Sequence, residues 1–278
     1  MKPLEGFRVL TLAPNVPGPV AAERLRGLGA LVTKVEPPAG DPLASFSPGW
    51  YAELSGHQTV VVLDLKTEAG RGDLDGLLAD TDLLFTSSRP AALARLGLAW
   101  NELHRRFPRL SQVAIVGYPA PGENRPGHDL TYLAANGLLS PPEMPRTLLA
   151  DLAGAERAVS AALGLLLARE RGAGGVGYVE VALSEAAADF AAPFSHGLTK
   201  PGGVLGGGFA GYGLYCSSDG WVAVAALEPH FMNRLALELG MEELSKEELE
   251  RVFSGSSSSE WEAWASRRDL PILAVRGL

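Results

Sequence analysis

Three side chains offer acid–base chemistry in this sequence: His128, Asp151 and Glu228. His128 sits in Gly127-His128-Asp129-Leu130-Thr131-Tyr132, just ahead of helical sequence. A bend rich in proline (Pro141, Pro142, Pro145) leads from there to Asp151, and a helix of small residues over 152–169 follows. The spacing makes Asp151 the N-cap or a first-turn acid of that helix, where free backbone N–H groups and the positive end of the helix dipole gather. A carboxylate there is expected to be held ionised, and an oxyanion forming nearby would be stabilised. An imidazole and a carboxylate so placed can move protons to and from a substrate. In the plainer alternative Asp151 only caps a helix and His128 is a satisfied loop histidine.

Other chemistries lack their residues. The histidines at 57, 104, 128, 196 and 230 show no metal-binding spacing, and Cys216 is the single cysteine. No G-x-S-x-G elbow and no Walker A sequence occurs. Residues 206–211 match G-x-G-x-x-G, but no strand precedes them and a strand follows, so they read as a flexible loop. A net charge of −8 argues against nucleic acid as a partner. One cysteine excludes an internal disulfide and points to a reducing compartment. There is no basic-then-apolar leader and no apolar run of about 20 residues, so the expectation is a cytoplasmic protein without a membrane partner.

The elements that must position these groups alternate. Residues 7–12, 31–35, 59–65, 83–85 and 111–116 read as buried strands, and 20–28, 68–79, 90–96 and 100–107 as helices. Residues 36–49 read as a proline-rich loop. This alternation predicts an α/β domain with a doubly wound, Rossmann-like parallel sheet, and its first loop, at 14–19, lies at a carboxyl edge where such sheets bind ligands. A strand at 178–182 and a helix capped by Ser184 follow the central helix. The glycine-rich stretch 200–213 marks the expected boundary between a large domain, 1–200, and a small α+β domain, 201–278. In the latter, 212–216 and 221–225 form a hairpin, 230–239 and 261–267 are helical, 254–259 is linker and N-cap, and 272–275 is a last strand.

A family resemblance adds to this reading. Leu4-Glu5-Gly6-Phe7-Arg8-Val9-Leu10, Gly18-Pro19, Leu28-Gly29-Ala30, Lys34-Val35-Glu36-Pro37-Pro38 and Gly40-Asp41-Pro42 resemble the opening of the family III coenzyme A transferases. Leu63-Asp64-Leu65-Lys66, Arg89-Pro90, Arg95-Leu96-Gly97-Leu98, Pro108-Arg109-Leu110 and Pro126-Gly127-His128-Asp129 continue it in order. That family includes α-methylacyl-coenzyme A racemases, and Gly-His-Asp followed by Tyr132, with Leu227-Glu228-Pro229 after the hairpin, is most similar to that branch.

The resemblance implies that His128 and Asp151 are two acid/base groups on opposite faces of a substrate α-carbon, with Glu228 supporting the histidine. In the transferase branch the matching aspartate is a nucleophile, so a coenzyme A transferase is the alternative, and a non-catalytic acyl-coenzyme A binding homologue is a third reading. Coenzyme A enters as part of the thioester substrate, with no permanently bound cofactor. Its implied contacts are Leu63, Asp64, Leu65, Lys66, Ser87, Ser88, Arg89, Arg95, Gly127, Asp129 and Tyr132, the cations Lys66, Arg89 and Arg95 meeting the phosphates. An interlocked homodimer is implied as well. The sequence departs from the family at Pro37, where racemases often carry an arginine, and at Ser55-Gly56-His57-Gln58. Family members also run well past 278 residues, which implies weakened binding or a contribution from a partner chain.

Overall fold

The computed structural model describes residues 2–172 and 177–277, and the chain divides into two units, Met1–Ala191 and Ala192–Leu278. The division thus precedes the expected 200/201 boundary: the glycine-rich stretch lies inside the second unit.

In the first unit, short apolar runs become strands β1 (Arg8–Thr11), β2 (Leu31–Glu36), β3 (Thr59–Val62), β4 (Leu83–Thr86), β5 (Ser111–Val116) and β6 (Tyr178–Ala182). They form a parallel sheet in the order β3-β2-β1-β4-β5-β6, the doubly wound order. β4 and β5 are buried along their whole length, as expected for strands covered on both faces. Val9, Leu83, Phe85 and Val113 face one core, shared with helices α1 (Pro17–Gly27) and α8 (Leu149–Glu170). Leu10 and Leu84 face the other, filled by Leu74 and Leu78 of α4 (Glu68–Ala79), Leu93 of α5 (Pro90–Arg95) and Leu103 of α6 (Trp100–Arg106).

Two details differ from expectation. Residues 36–49 are not all loop: α2 (Pro42–Phe46) and α3 (Pro48–Ser55) each start on a proline, which suits a first helical position because no intrahelical N–H is needed there. Helix α9 (Leu183–Phe190) begins after Ala182, and the N–H of Ser184 donates to the Gly117 carbonyl, so Ser184 does not cap it.

Helix α8 buries Ala150, Ala153, Gly154, Ala155, Ala158 and Ala162, and these small residues let its backbone lie close to α1 and α9. Gly18 has the same use in α1: a Cβ there would collide with Ala13 and stand 2.8 Å from its carbonyl oxygen. Gly18→Ala is expected to cost about 1–3 kcal/mol, read as a lowered midpoint in thermal unfolding, because backbone rather than a side-chain tip must yield.

The second unit opens on a short helix, α10 (Ala192–Ser195), and holds a three-stranded antiparallel sheet of β7 (Tyr212–Cys216), β8 (Trp221–Ala225) and β9 (Ile272–Ala274), with helices α11 (Pro229–Leu239), α12 (Lys246–Phe253) and α13 (Ser258–Ser266). Tyr215, Val222, Val224, Leu235, Leu249, Phe253 and Ile272 make its core. Sequence reading gave α12 no assignment; Leu249 and Phe253, four residues apart, are its buried stripe. The G-x-G-x-x-G match is a kinked turn ahead of β7, with Gly207 at φ +85°.

Candidate active site

A cavity of about 400 Å³ opens at the carboxyl edge of the parallel sheet. Its walls come from the loop after β1 (Pro14, Asn15), from α2 (Phe46), from the residues after β4 (Ser87, Ser88, Arg89), from the end of β5 onward (Ile115–Gly117) and from Glu123, Arg125, Gly127, His128, Tyr132, Asp151 and Leu183. It therefore spans the β1/β4 switch point, where strand order reverses and the flanking loops splay apart to leave a crevice. A larger cavity, about 760 Å³, opens at the opposite edge of the sheet, but none of the candidate residues lines it. Of its cations, Arg8 and Arg26 are already paired with Asp80 and Glu23. Chemistry, not size, singles out the first.

His128 is the N-cap residue of α7 (Asp129–Ala135), with extended backbone (φ −142°, ψ 167°). Its N–H donates to Thr131 Oγ1 at 3.0 Å, and that hydroxyl donates back to the His128 carbonyl at 2.7 Å, so Thr131 fixes the backbone from which the exposed imidazole reaches the cavity.

Asp151 is the third residue of α8, a first-turn acid and not the N-cap, which is Leu148. The expectation that the helix start holds it ionised fails. Burial, and second the negative charge of Asp129, push its carboxyl up to about 7. The helix start does not offset this: the Asp151 N–H donates to Asp129 Oδ1 at 3.1 Å, so this first-turn donor serves a second carboxylate. Asp129 is itself buried, behind the cavity lining.

Tyr132 is fully buried, and desolvation first, then nearby Tyr118 and Asp151, push its phenol up to about 12. It meets the Tyr118 ring edge-on at 5.2 Å, and the Arg125 guanidinium lies 4.5 Å from that ring's centre. Glycine at 117 and 127 leaves room for Tyr132, since a Cβ on either would stand under 3 Å from its side chain and force the buried ring to move.

The loop after β1 is held from below by a buried ionic cluster. Lys34 Nζ lies 2.7 Å from Asp41 Oδ2 and 2.8 Å from Glu36 Oε1, and 4.6 Å from the Tyr51 ring centre. The Tyr51 hydroxyl donates to Glu36 at 2.9 Å. Asp41 Oδ1 accepts the N–H of Asn15 at 3.0 Å and of Leu43 at 2.9 Å. That first bond holds Asn15 at φ +67°, an uncommon conformation for a residue with a side chain.

Of the residues expected to contact coenzyme A, Ser87, Ser88, Arg89, Gly127 and Tyr132 line this cavity. Leu63, Asp64, Leu65 and Lys66 follow β3 on the same edge of the sheet, two strands away from β1, and do not line it. There Leu63 belongs to the core, Asp64 Oδ1 accepts the Lys66 N–H at 3.0 Å, and the Lys66 side chain is exposed. Arg95 is exposed in the last turn of α5, also off the lining. Glu228 belongs to the second unit, where it is exposed at the N-cap position of α11.

Sequence reading missed Phe46, Glu123 and Arg125, and pointed to the 14–19 loop without singling out Asn15. Glu123 and Arg125 stand immediately upstream of the recognised Pro-Gly-His-Asp run and could have been found by extending it; Phe46 lay in a stretch read as loop, yet is 82% exposed at the cavity. Among the described residues no group of three or more His, Cys, Asp or Glu could hold a metal ion.

The same chain can be compared with known proteins. The model of "CoA-transferase family III" matches residues 4–277. The α-methylacyl-CoA racemase of Homo sapiens is 31% identical, over 93% of this chain and 74% of its own length. The succinyl-CoA:(R)-benzylsuccinate CoA-transferase subunit of Thauera aromatica is 34% identical, over 80% of this chain but only 59% of that protein. A crystal structure of a Mycobacterium tuberculosis protein superposes with a TM-score of 0.85 at 26% identity, covering 100% of this chain and 85% of the other. A match over nearly every residue places this chain in CoA-transferase family III.

Proposed function

We propose that this protein racemises 2-methylacyl-CoA thioesters by 1,1-proton transfer at the α-carbon, with His128 and Asp151 as its two acid/base groups. One observation carries the reading: the cavity holds an imidazole together with a carboxyl whose burial, beside Asp129, raises it to about 7. A two-base racemase needs each group able both to take and to give a proton near neutral pH. An ordinary aspartate does not meet that need; a carboxyl brought into the range where imidazoles titrate does.

In one direction neutral His128 removes the α-proton, the C–H electrons pass into an enolate of the thioester, and protonated Asp151 delivers its proton to the opposite face. The reverse direction exchanges the roles. Ser87, Ser88 and Arg89 line the same cavity and serve the coenzyme A portion, while Lys66, after β3, and Arg95, in the last turn of α5, serve its phosphates. The protein acts in the cytoplasm as a homodimer, without a permanently bound cofactor.

The transferase reading uses Asp151 as a nucleophile, which must be ionised to attack a thioester. A carboxyl at about 7 is only partly ionised at neutral pH, which suits a group that both takes and gives a proton better than a nucleophile. The test is proton NMR of 2-methylacyl-CoA with the protein in deuterium oxide. Loss of the α-proton signal is expected; a persistent signal, with coenzyme A passing instead between carboxylic acids, would establish the transferase.

A further inference from the structure

Asp129 is adjacent in sequence to His128 and bonded to the backbone of Asp151, so one side chain ties together the two groups of the cavity across 22 residues of chain. That intervening chain includes the proline-rich bend, which contributes no regular element between α7 and α8. Asp129 is 5% exposed. Its Oδ1 satisfies the Asp151 N–H, one of the free donors of a helix start, while its Oδ2 is buried with no hydrogen-bond partner. A buried carboxylate oxygen without a partner is costly and is not needed for anchoring, which Oδ1 alone achieves. What the second oxygen adds is charge.

Resting on the racemase reading above, we propose that Asp129 is a positioning residue for Asp151: Oδ1 anchors the first turn of α8, and the unpartnered Oδ2 keeps a negative charge beside the Asp151 carboxyl so that it holds its proton as an acid. Other groups do not supply that charge. His128, Tyr132, Arg89, Glu123 and Arg125 share the cavity with Asp151. Of the helices packed on α8, α1 presents Arg24, paired with Glu156, and Glu23 and Arg26, paired with each other, and α9 presents Glu185 and Asp189, the latter paired with Arg157. Glu180 lies on β6. Asp129 is the only one of these whose charge acts on the Asp151 carboxyl strongly enough to count beside its burial.

The experiment compares the full-length protein with Asp129→Asn, which retains an oxygen acceptor for the Asp151 N–H but not the charge. Carboxyl carbon-13 NMR follows the titration of Asp151 without ligand, its signal assigned by its loss in Asp151→Asn. The Asp151 midpoint is expected to fall by about one pH unit in Asp129→Asn, because a like charge has been removed. In α-proton exchange the alkaline limb of the pH profile should move down by the same amount, with kcat near pH 8 reduced about tenfold and KM unchanged. An unchanged midpoint in folded Asp129→Asn overturns the proposal, whatever the activity. Should that variant not fold, the wild-type spectrum decides: the Asp129 signal must show an inflection at the Asp151 midpoint, and its absence overturns the proposal equally. If wild type shows no proton exchange but the midpoint still falls, the racemase reading fails and the role of Asp129 stands.

Discussion

Replacing His128 by alanine, or Asp151 by asparagine, is expected to lower α-proton exchange from 2-methylacyl-CoA by about 10²–10⁴-fold, the usual worth of one general acid–base group. His128 is exposed and its backbone is fixed by Thr131, so the fold should tolerate its loss. The double variant should be hardly worse than the poorer single one, since racemisation needs both groups in every turnover and groups that act as a unit do not add. A transferase would respond differently: Asp151→Asn would abolish coenzyme A exchange while His128→Ala would leave most of it.

Asp151→Asn should also show an opposite effect on stability. Its folded carboxyl, up at about 7, binds a proton that the unfolded chain releases near 4. Between these values the native state holds more protons than the unfolded state, so stability falls as pH rises through this window. Above pH 7 the wild type carries a half-buried charge that the asparagine variant lacks. The variant should then be more stable, on the order of 1–2 kcal/mol, and no more stable at pH 4. Urea denaturation at both pH values measures the difference; equal gains at the two would show that the carboxyl is not raised.

Lys34→Met should be among the most destabilising single changes in the protein, by about 3–5 kcal/mol, or roughly 10 °C in the unfolding midpoint. The ammonium is 2% exposed and lies between Glu36 and Asp41, so its removal leaves two carboxylates buried without their cation. Tyr51 still donates to Glu36, but the carboxylate of Asp41 retains only backbone donors, those of Asn15 and Leu43. The damage should reach the cavity, because Asp41 holds Asn15 in its left-handed conformation. Calorimetry of Lys34→Met, beside a surface control such as Lys66→Met, checks this; equal midpoints would mean the cluster is dispensable.

Much of this protein was legible in the sequence where a signal is local. Helix 68–79, strands 111–116 and 178–182, and the hairpin 212–216 with 221–225 are those the residue pattern predicts, since periodicity, β-branched runs and turn residues act within a few positions. The order of strands and helices implied the doubly wound sheet, and with it a ligand edge. His128 and Asp151 could be named because their neighbours form recognisable motifs.

Tertiary structure decided what depends on groups far apart in the chain. It brought Asp129 to the N–H of Asp151 and so reversed the expected ionisation of that carboxyl: a helix start favours a charge only where water or a free donor is left to stabilise it, and here the protein removes the water and gives the donor to a second acid. It joined Lys34, Glu36 and Asp41 in one buried cluster that shapes the loop after β1, although in sequence they are only a charged strand end and a turn. It also set Leu63–Lys66 and Arg95 apart from the cavity that Ser87–Arg89 line, because β3 is an edge strand two places from β1 and Arg95 stands at the far end of α5 from Arg89. Charge state and convergence are set by burial and by partners distant in sequence, and no local pattern records either.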